Sequence, residues 1–199
     1  MLSPSESIVE NVKKLKEFSF NTVGEYESHH SRAHITVQFW SRKKPVWVEP
    51  LMPKLERDLQ TLSPIVLDTN DFGFFDHNDH KTIYAKLGST SLTKFWFKNL
   101  RKYFNRADFE PHITIAKNIP SDAFAKLWPR FKNFEWREQF VVDKLTVLKK
   151  ETIGYNKNYK VFKEIPFNKK LDFYEFANSK SHKAAPSFKT ADTRQACLF

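Results

Sequence analysis

The tripeptide His-Ile-Thr occurs twice in this chain, at His34-Ile35-Thr36 and at His112-Ile113-Thr114. A β-branched residue follows each copy, Val37 in the first and Ile115 in the second. Both stretches read as β-strands, and a strand repeats its side-chain direction every second residue. His and Thr of each copy therefore share one face, while Ile35 with Val37, and Ile113 with Ile115, share the other. The apolar pairs can anchor in a core and leave the polar pairs facing a cleft. Two such strands side by side would gather two imidazoles and two hydroxyls around one small volume. That set suits a phosphodiester reaction. A neutral imidazole takes a proton from an attacking water or hydroxyl, and a protonated one gives a proton to the departing oxygen. An ordinary His pKa of about 6.5 populates both forms near neutrality. Each Thr hydroxyl can donate to a non-bridging phosphate oxygen, where charge grows in the transition state. Such a centre calls for no metal and no cofactor, because protonated His and Lys supply positive charge.

The elements that would position these residues are also duplicated. Position 34 to position 112 is a step of 78, and so is position 81 to position 159, which relates Lys81-Thr82-Ile83-Tyr84 to Tyr159-Lys160-Val161-Phe162. Each His strand is followed by a helical pattern. Residues 48–60 space Leu51, Leu55 and Leu59 by four, and residues 121–131 place Phe124, Leu127, Trp128 and Phe131 on one face. An extended apolar stretch comes next in each half, at 64–75 and 139–149, and a last strand closes each unit. Two further helices are expected, at 7–18 and 93–104, and 21–32 reads as polar loop. The architecture implied is an α+β, two-lobed, duplicated fold, with pseudo-repeats at about 30–90 and 108–168. Antiparallel sheets would line a central cleft, with helices outside. The domain would span 1–170. Residues 171–199 lose periodicity and turn rich in Ser, Lys, Thr and Ala, as a disordered tail would.

Composition narrows the class. The chain has 199 residues, 40% of them apolar, with 20 Phe and 5 Trp, enough to fill a core. With only 4 Gly there is neither a phosphate-cradling loop nor a dinucleotide fingerprint. A single cysteine, Cys197, excludes a disulfide framework and a cysteine-based zinc site. No apolar run is long enough for a membrane span, and no signal-peptide profile opens the chain, so a cytoplasmic protein is expected. The net charge of +10 favours polyanions such as RNA and phosphorylated small molecules, although the basic residues are scattered and mark out no groove.

Taken together, His34-Ile35-Thr36-Val37 and His112-Ile113-Thr114-Ile115 resemble the paired motif of the 2H phosphoesterase superfamily, which includes 2′-5′ RNA ligase-like proteins and cyclic phosphodiesterases. Glu110-Pro111 before the second motif and Ala116-Lys117 after it are similar to that family's context, as are Phe72-Gly73-Phe74-Phe75 and residues 140–148. The likeness covers about residues 4–167. It implies a phosphoric diester hydrolase, with His34 and His112 as the acid-base pair and Thr36 and Thr114 as phosphate ligands. It further implies that Lys117 assists and that Phe74 stacks on a base. A solvated lysine and a core phenylalanine are the alternatives at those two positions. The substrate implied is a 2′,3′-cyclic phosphate or 2′-5′ linkage of RNA or an oligonucleotide, and the protein is expected to be a monomer. A small cyclic nucleotide-derived phosphate is the alternative substrate. An RNA- or nucleotide-binding module with little turnover is the alternative class. Family members usually open with an apolar strand that is mostly missing before Ser3-Pro4 here, so unpaired backbone is expected on neighbouring strands. The other histidines read as bystanders: His29 and His30 in a loop, His77 and His80 in a polar hairpin turn, and His182 in the tail.

Overall fold

In the computed structural model, residues 1–41, 43–104, 110–150 and 158–168 are described. The expected tail, with His182 and Cys197, lies outside them. The fold is α+β, as expected. Helix α1 (Glu6–Val23) buries Ile8, Val12 and Leu15. It runs past the expected end at residue 18 because its stop signal is Gly24. That residue takes φ +81°, and its N–H bonds to the Phe20 carbonyl.

The helical pattern at 48–60 is interrupted. It forms α2 (Pro45–Val48), a 3-10 turn (Glu49–Leu51) and α3 (Met52–Leu59). Pro50 and Pro53 explain the break, since neither has the N–H that a continuous helix needs. Both prolines occupy first-turn positions, where that N–H is not required. Helix α4 (Ser91–Lys102) starts at a reciprocal Thr90–Thr93 cap. Helix α5 (Ser121–Lys132) buries Leu127 and Phe131.

Strands β1 (Ile65–His77), β2 (His80–Leu87), β3 (His112–Pro120) and β4 (Gln139–Val142) form one antiparallel sheet in the order β3-β2-β1-β4. Strands β5 (Lys144–Lys149) and β6 (Lys160–Pro166) form a second. The extended stretch expected at 139–149 thus divides at Asp143, whose carbonyl accepts from the Phe167 N–H at 2.7 Å. His77 and His80 face each other across the β1–β2 turn, where Asn78 adopts φ +62°.

Two short pieces join the sheets. Ile35 bridges Ile113 of β3 on one side and Leu2 on the other, and Leu2 also bridges Leu145 of β5. The Leu2 and Ile35 backbones exchange two hydrogen bonds of 2.9 Å, and the Thr146 N–H donates to the Met1 carbonyl at 2.9 Å. The unpaired backbone expected beside this lane is therefore not found, since Ile35 and Leu145 each have Leu2 as a partner. The first His segment also differs from expectation. It is an extended lane with a bridge at Ile35, not a long strand, and only β3 carries its His motif on a full ladder. A nearly continuous antiparallel surface results, with helices packed on its apolar face.

The loop that leads into His34 is held from below by a buried lysine. Lys16 of α1 is 3% exposed. Its Nζ donates to the carbonyls of Ser28 and Ser31 and to the Ser31 hydroxyl, each at 2.7 Å. All three N–H bonds are used, and burial pushes its pKa down to about 8. The Ser28 hydroxyl in turn donates to the Ile115 carbonyl and accepts from the Lys117 N–H, tying the loop to β3. We predict that Lys16→Met, which keeps the stem and removes the donors, costs ~1–3 kcal/mol, because three hydrogen bonds of a buried ammonium that tie α1 to the loop are lost, although the Ser28 carbonyl still accepts from Ser31. Thermal and urea unfolding will measure it. A melting temperature equal to that of wild type would show that the loop holds without Lys16.

Candidate active site

Ala33, Ile35 and Val37 are buried at 4%, 0% and 2% exposure, and Ile113 and Ile115 at 0%. The alternate residues His34, His112 and Thr114 are half-buried, and Thr36 is exposed. The alternation read from the sequence is present on both segments, with the apolar residues on the core side.

The Ile35–Ile113 bridge brings the two motifs together. In an antiparallel pair, continuing that register by one residue each way sets His34 opposite Thr114 and Thr36 opposite His112. The two imidazoles then lie on one diagonal of a four-cornered patch and the two hydroxyls on the other. Diagonal partners in such a ladder stand about 7–8 Å apart, a gap that a phosphoryl group can fill.

Each imidazole is oriented in the same way. His34 Nδ1 lies 2.8 Å from the Arg32 carbonyl, and His112 Nδ1 lies 2.7 Å from the Glu110 carbonyl. A carbonyl only accepts, so each Nδ1 carries the proton and donates it. Each Nε2 is then the nitrogen left for a substrate, as an acceptor when the ring is neutral and a donor when it is protonated. The contact spans two residues in both copies, so the two halves hold their rings by equivalent bonds.

Burial is the main influence on both titrations, and it holds each imidazole below the ordinary His range. The backbone carbonyls oppose this by favouring the protonated ring. His34 is lowered further by positive charge at the terminal amine, at Lys16 and at His112, whereas the Glu110 carboxylate raises His112. The two rings are thus unequal, and His34 has the more cationic surroundings.

Aromatic residues wall the cleft beside His112. Phe75 meets its ring edge-on at 5.0 Å, and Tyr84 lies at 5.0 Å in a tilted contact. Phe75 and Tyr84 stack on each other at 4.2 Å. Tyr84 faces Thr114 in the β2–β3 register and Gly73 in the β1–β2 register. A Cβ at Gly73 would come within 2.8 Å of the Tyr84 ring and 2.9 Å of Lys86 Cε. The glycine is what lets the Tyr84 ring lie down on β1.

The residues expected to assist lie elsewhere. Phe74 does not join the His pair. It packs at 4.9 Å from both Phe124 and Trp128 of α5. Strand parity explains this: Phe72 is buried against Phe131, Phe74 follows it to the helix side, and Phe75 takes the cleft side. Lys117 is exposed and directs its ammonium to the Glu27 carboxylate at 2.5 Å, holding that carboxyl below its usual range. Tyr84 was not foreseen, and Phe75, which the sequence offers beside Phe74 as either a core residue or a base platform, has the place expected of Phe74. Counting parity from a core Phe72 could have found Phe75, whereas placing Tyr84 requires the β2–β3 register. Among the described residues, the grouping of three possible metal ligands is at Glu25, His29 and His30, apart from the His34–His112 pair.

The profile of the 2′-5′ RNA ligase superfamily matches residues 4–154 of this chain. No curated protein matches it at a significant level. The crystal structure of TT0787 of Thermus thermophilus is similar over 84% of this chain and 95% of that one, with 15% identity and a TM-score of 0.64. That likeness is one of fold. The crystal structure of E. coli LigT complexed with NADP+ aligns over 80% of this chain and 92% of that one, with 15% identity and a TM-score of 0.47. With three quarters of the sequence matched and both His-Ile-Thr motifs inside the match, the chain belongs to the 2′-5′ RNA ligase superfamily of 2H phosphoesterases.

Proposed function

We propose that this protein is a metal-independent phosphodiesterase acting on a 2′,3′-cyclic phosphate or a 2′-5′ linkage of RNA or an oligonucleotide. The observation that carries the reading is the matched pair of Nδ1–carbonyl bonds, which leaves an Nε2 on each of two motifs joined by one bridge. One neutral imidazole removes a proton from water, and the oxygen attacks phosphorus. The P–O bond to the 2′ or 3′ oxygen breaks, and the other imidazole, protonated beforehand, gives its proton to that oxygen. Thr36 and Thr114 donate to the non-bridging oxygens. Phe75, backed by the buried Tyr84 ring, offers an apolar surface on which a base or ribose can rest.

A polymeric substrate is favoured over a small cyclic phosphate by two lysine–aromatic pairs carried by the β5 and β6 strands and their ends. Lys149 lies 5.6 Å over the exposed Phe162 ring, and Lys150 lies 5.2 Å over the exposed Tyr159 ring. Aromatic rings interleaved with lysines suit a single strand, which needs stacking and charge but no fixed sequence.

His34→Ala and His112→Ala are each expected to lower turnover of a nucleoside 2′,3′-cyclic phosphate or a 2′-5′ dinucleotide by roughly two to four orders of magnitude. Thr36→Val and Thr114→Val should each cost on the order of ten- to a thousand-fold, for the loss of one donor. Steady-state kinetics on folded variants will decide. Wild-type rates in the double histidine variant would end the proposal.

The lowered His titrations set a pH dependence. Catalysis needs one neutral and one protonated ring, and in the free enzyme both titrate below about 6.5. The kcat/KM profile is therefore expected to be a bell whose maximum lies below that value. Its alkaline limb should fall about tenfold per unit as the acid loses its proton. Stability runs the other way. The unfolded chain takes up protons before the native one, so this contribution is complete above about 6.5 and is lost as the pH falls through the native values. Rate and melting profiles between mildly acidic and mildly basic pH will show whether these trends oppose each other.

Turnover should survive chelation, since two imidazoles and two hydroxyls supply every proton and every donor. Loss of rate in EDTA at an unchanged melting temperature, restored by one divalent ion and persisting in a His30→Ala background, would replace this mechanism with a metal-dependent one.

A further inference from the structure

The two histidines that read as loop bystanders are brought to one point. His29 Nδ1 lies 3.6 Å from one carboxylate oxygen of Glu25, and His30 Nε2 lies 3.8 Å from the other. Ligand atoms of all three residues fall within 4.8 Å of one another. Tetrahedral ligands at the ~2.0–2.1 Å bonds of zinc stand roughly 3.3 Å apart, so both His–Glu separations are close to coordination spacing already. His29 Nδ1 is buried and has no hydrogen-bond partner, a state that a buried polar atom rarely keeps without reason. Its ring is fixed by stacking on Phe20 at 4.3 Å with a 7° interplanar angle. The His30 side chain is 83% exposed and the Glu25 side chain 64%, so both can swing to complete a coordination sphere.

We infer that Glu25, His29 and His30 form a binding site for one borderline transition-metal ion, Zn2+ foremost, distinct from the reaction centre. Two imidazoles and a carboxylate suit Zn2+, Ni2+ or Cu2+ and disfavour Mg2+ and Ca2+, which prefer oxygen donors. The ion is structural. Glu25 directly follows Gly24, where α1 ends. His29 and His30 lie in the loop that Lys16 pins to α1 and Ser28 pins to β3. A metal there cross-links the end of α1 to the turn that feeds the first His motif, and it adds stability without touching the phosphate.

The test uses the full chain stripped of metal, with ZnCl2 titrated by calorimetry, Co2+ absorption as the reporter of ligand set, and thermal melts. Glu25→Gln and His30→Ala are the variants, since both side chains are mostly exposed and neither holds up the core. The expected result is one Zn2+ per chain, a melting temperature raised by roughly a few degrees at excess metal, and affinity weakened about tenfold or more in each variant. MgCl2 should have no such effect. Absence of stoichiometric Zn2+ binding by wild type would overturn the inference. So would equal affinity in the variants, which would assign the metal to other ligands such as His77 and His80. Because no arm reads turnover, failure here leaves the proposed phosphodiesterase untouched, and the reverse also holds.

Discussion

The backbone bridge between Ile35 and Ile113 is the contact on which the site depends. It does two jobs. It buries two fully covered isoleucines against the helices, and it fixes the register that puts His34 and His112 on one diagonal. A slip of one residue would send one motif's His and Thr into the core and its isoleucine into the cleft. Hydrophobic burial and functional geometry are therefore set by the same pairing. Each buried isoleucine contributes about 1.5–3 kcal/mol, which holds the register that the chemistry needs.

Around that bridge, the two segments that carry the motifs are supported unequally. The second motif sits on β3, laddered to β2, with Tyr84 packed at a tilt against His112 and Gly73 making room for that ring. The first motif lies in a lane only a few residues long, between Leu2 and β3. What the lane lacks in ladder it gains from side chains. Lys16 gathers the preceding loop from inside, and Ser28 bonds it to β3. Glu27 pairs with Lys117 and also accepts from the Asn118 amide. To reach a phosphate, Lys117 would have to leave that carboxylate. Its place here is at the joint between loop and strand.

The half-buried setting of the imidazoles has linked consequences. Removing water from the rings disfavours their charged forms, so the free enzyme holds both near neutral. A phosphate entering between them reverses that preference, because a protonated ring then faces an anion in a drier, less screened place. The unequal surroundings, cationic about His34 and anionic about Glu110 beside His112, bias which ring keeps the proton. The same burial makes native stability fall as the histidines are forced to charge.

The amino-acid sequence alone determined the two motifs, their alternation and most of the elements that carry them. All of these rest on local periods of two and 3.6 residues, and the side chains obey those periods wherever a core lies on one side. It also contained the prolines that split residues 48–60 and the glycine that stops α1, each a local backbone constraint. What required the tertiary structure was everything set by register between distant segments. Tyr84 reaches His112 because β2 pairs with β3 in one alignment among several that its pattern would allow. Phe75, and not Phe74, faces the cleft because Phe72 is the residue that meets Phe131. Lys117 answers to Glu27, 90 residues away in the chain. Lys16 reads as one more surface lysine on a helix, yet its ammonium is buried under three oxygens. Sequence patterns report which face a residue takes. Which residue it meets across that face is decided by packing between segments that share no local signal.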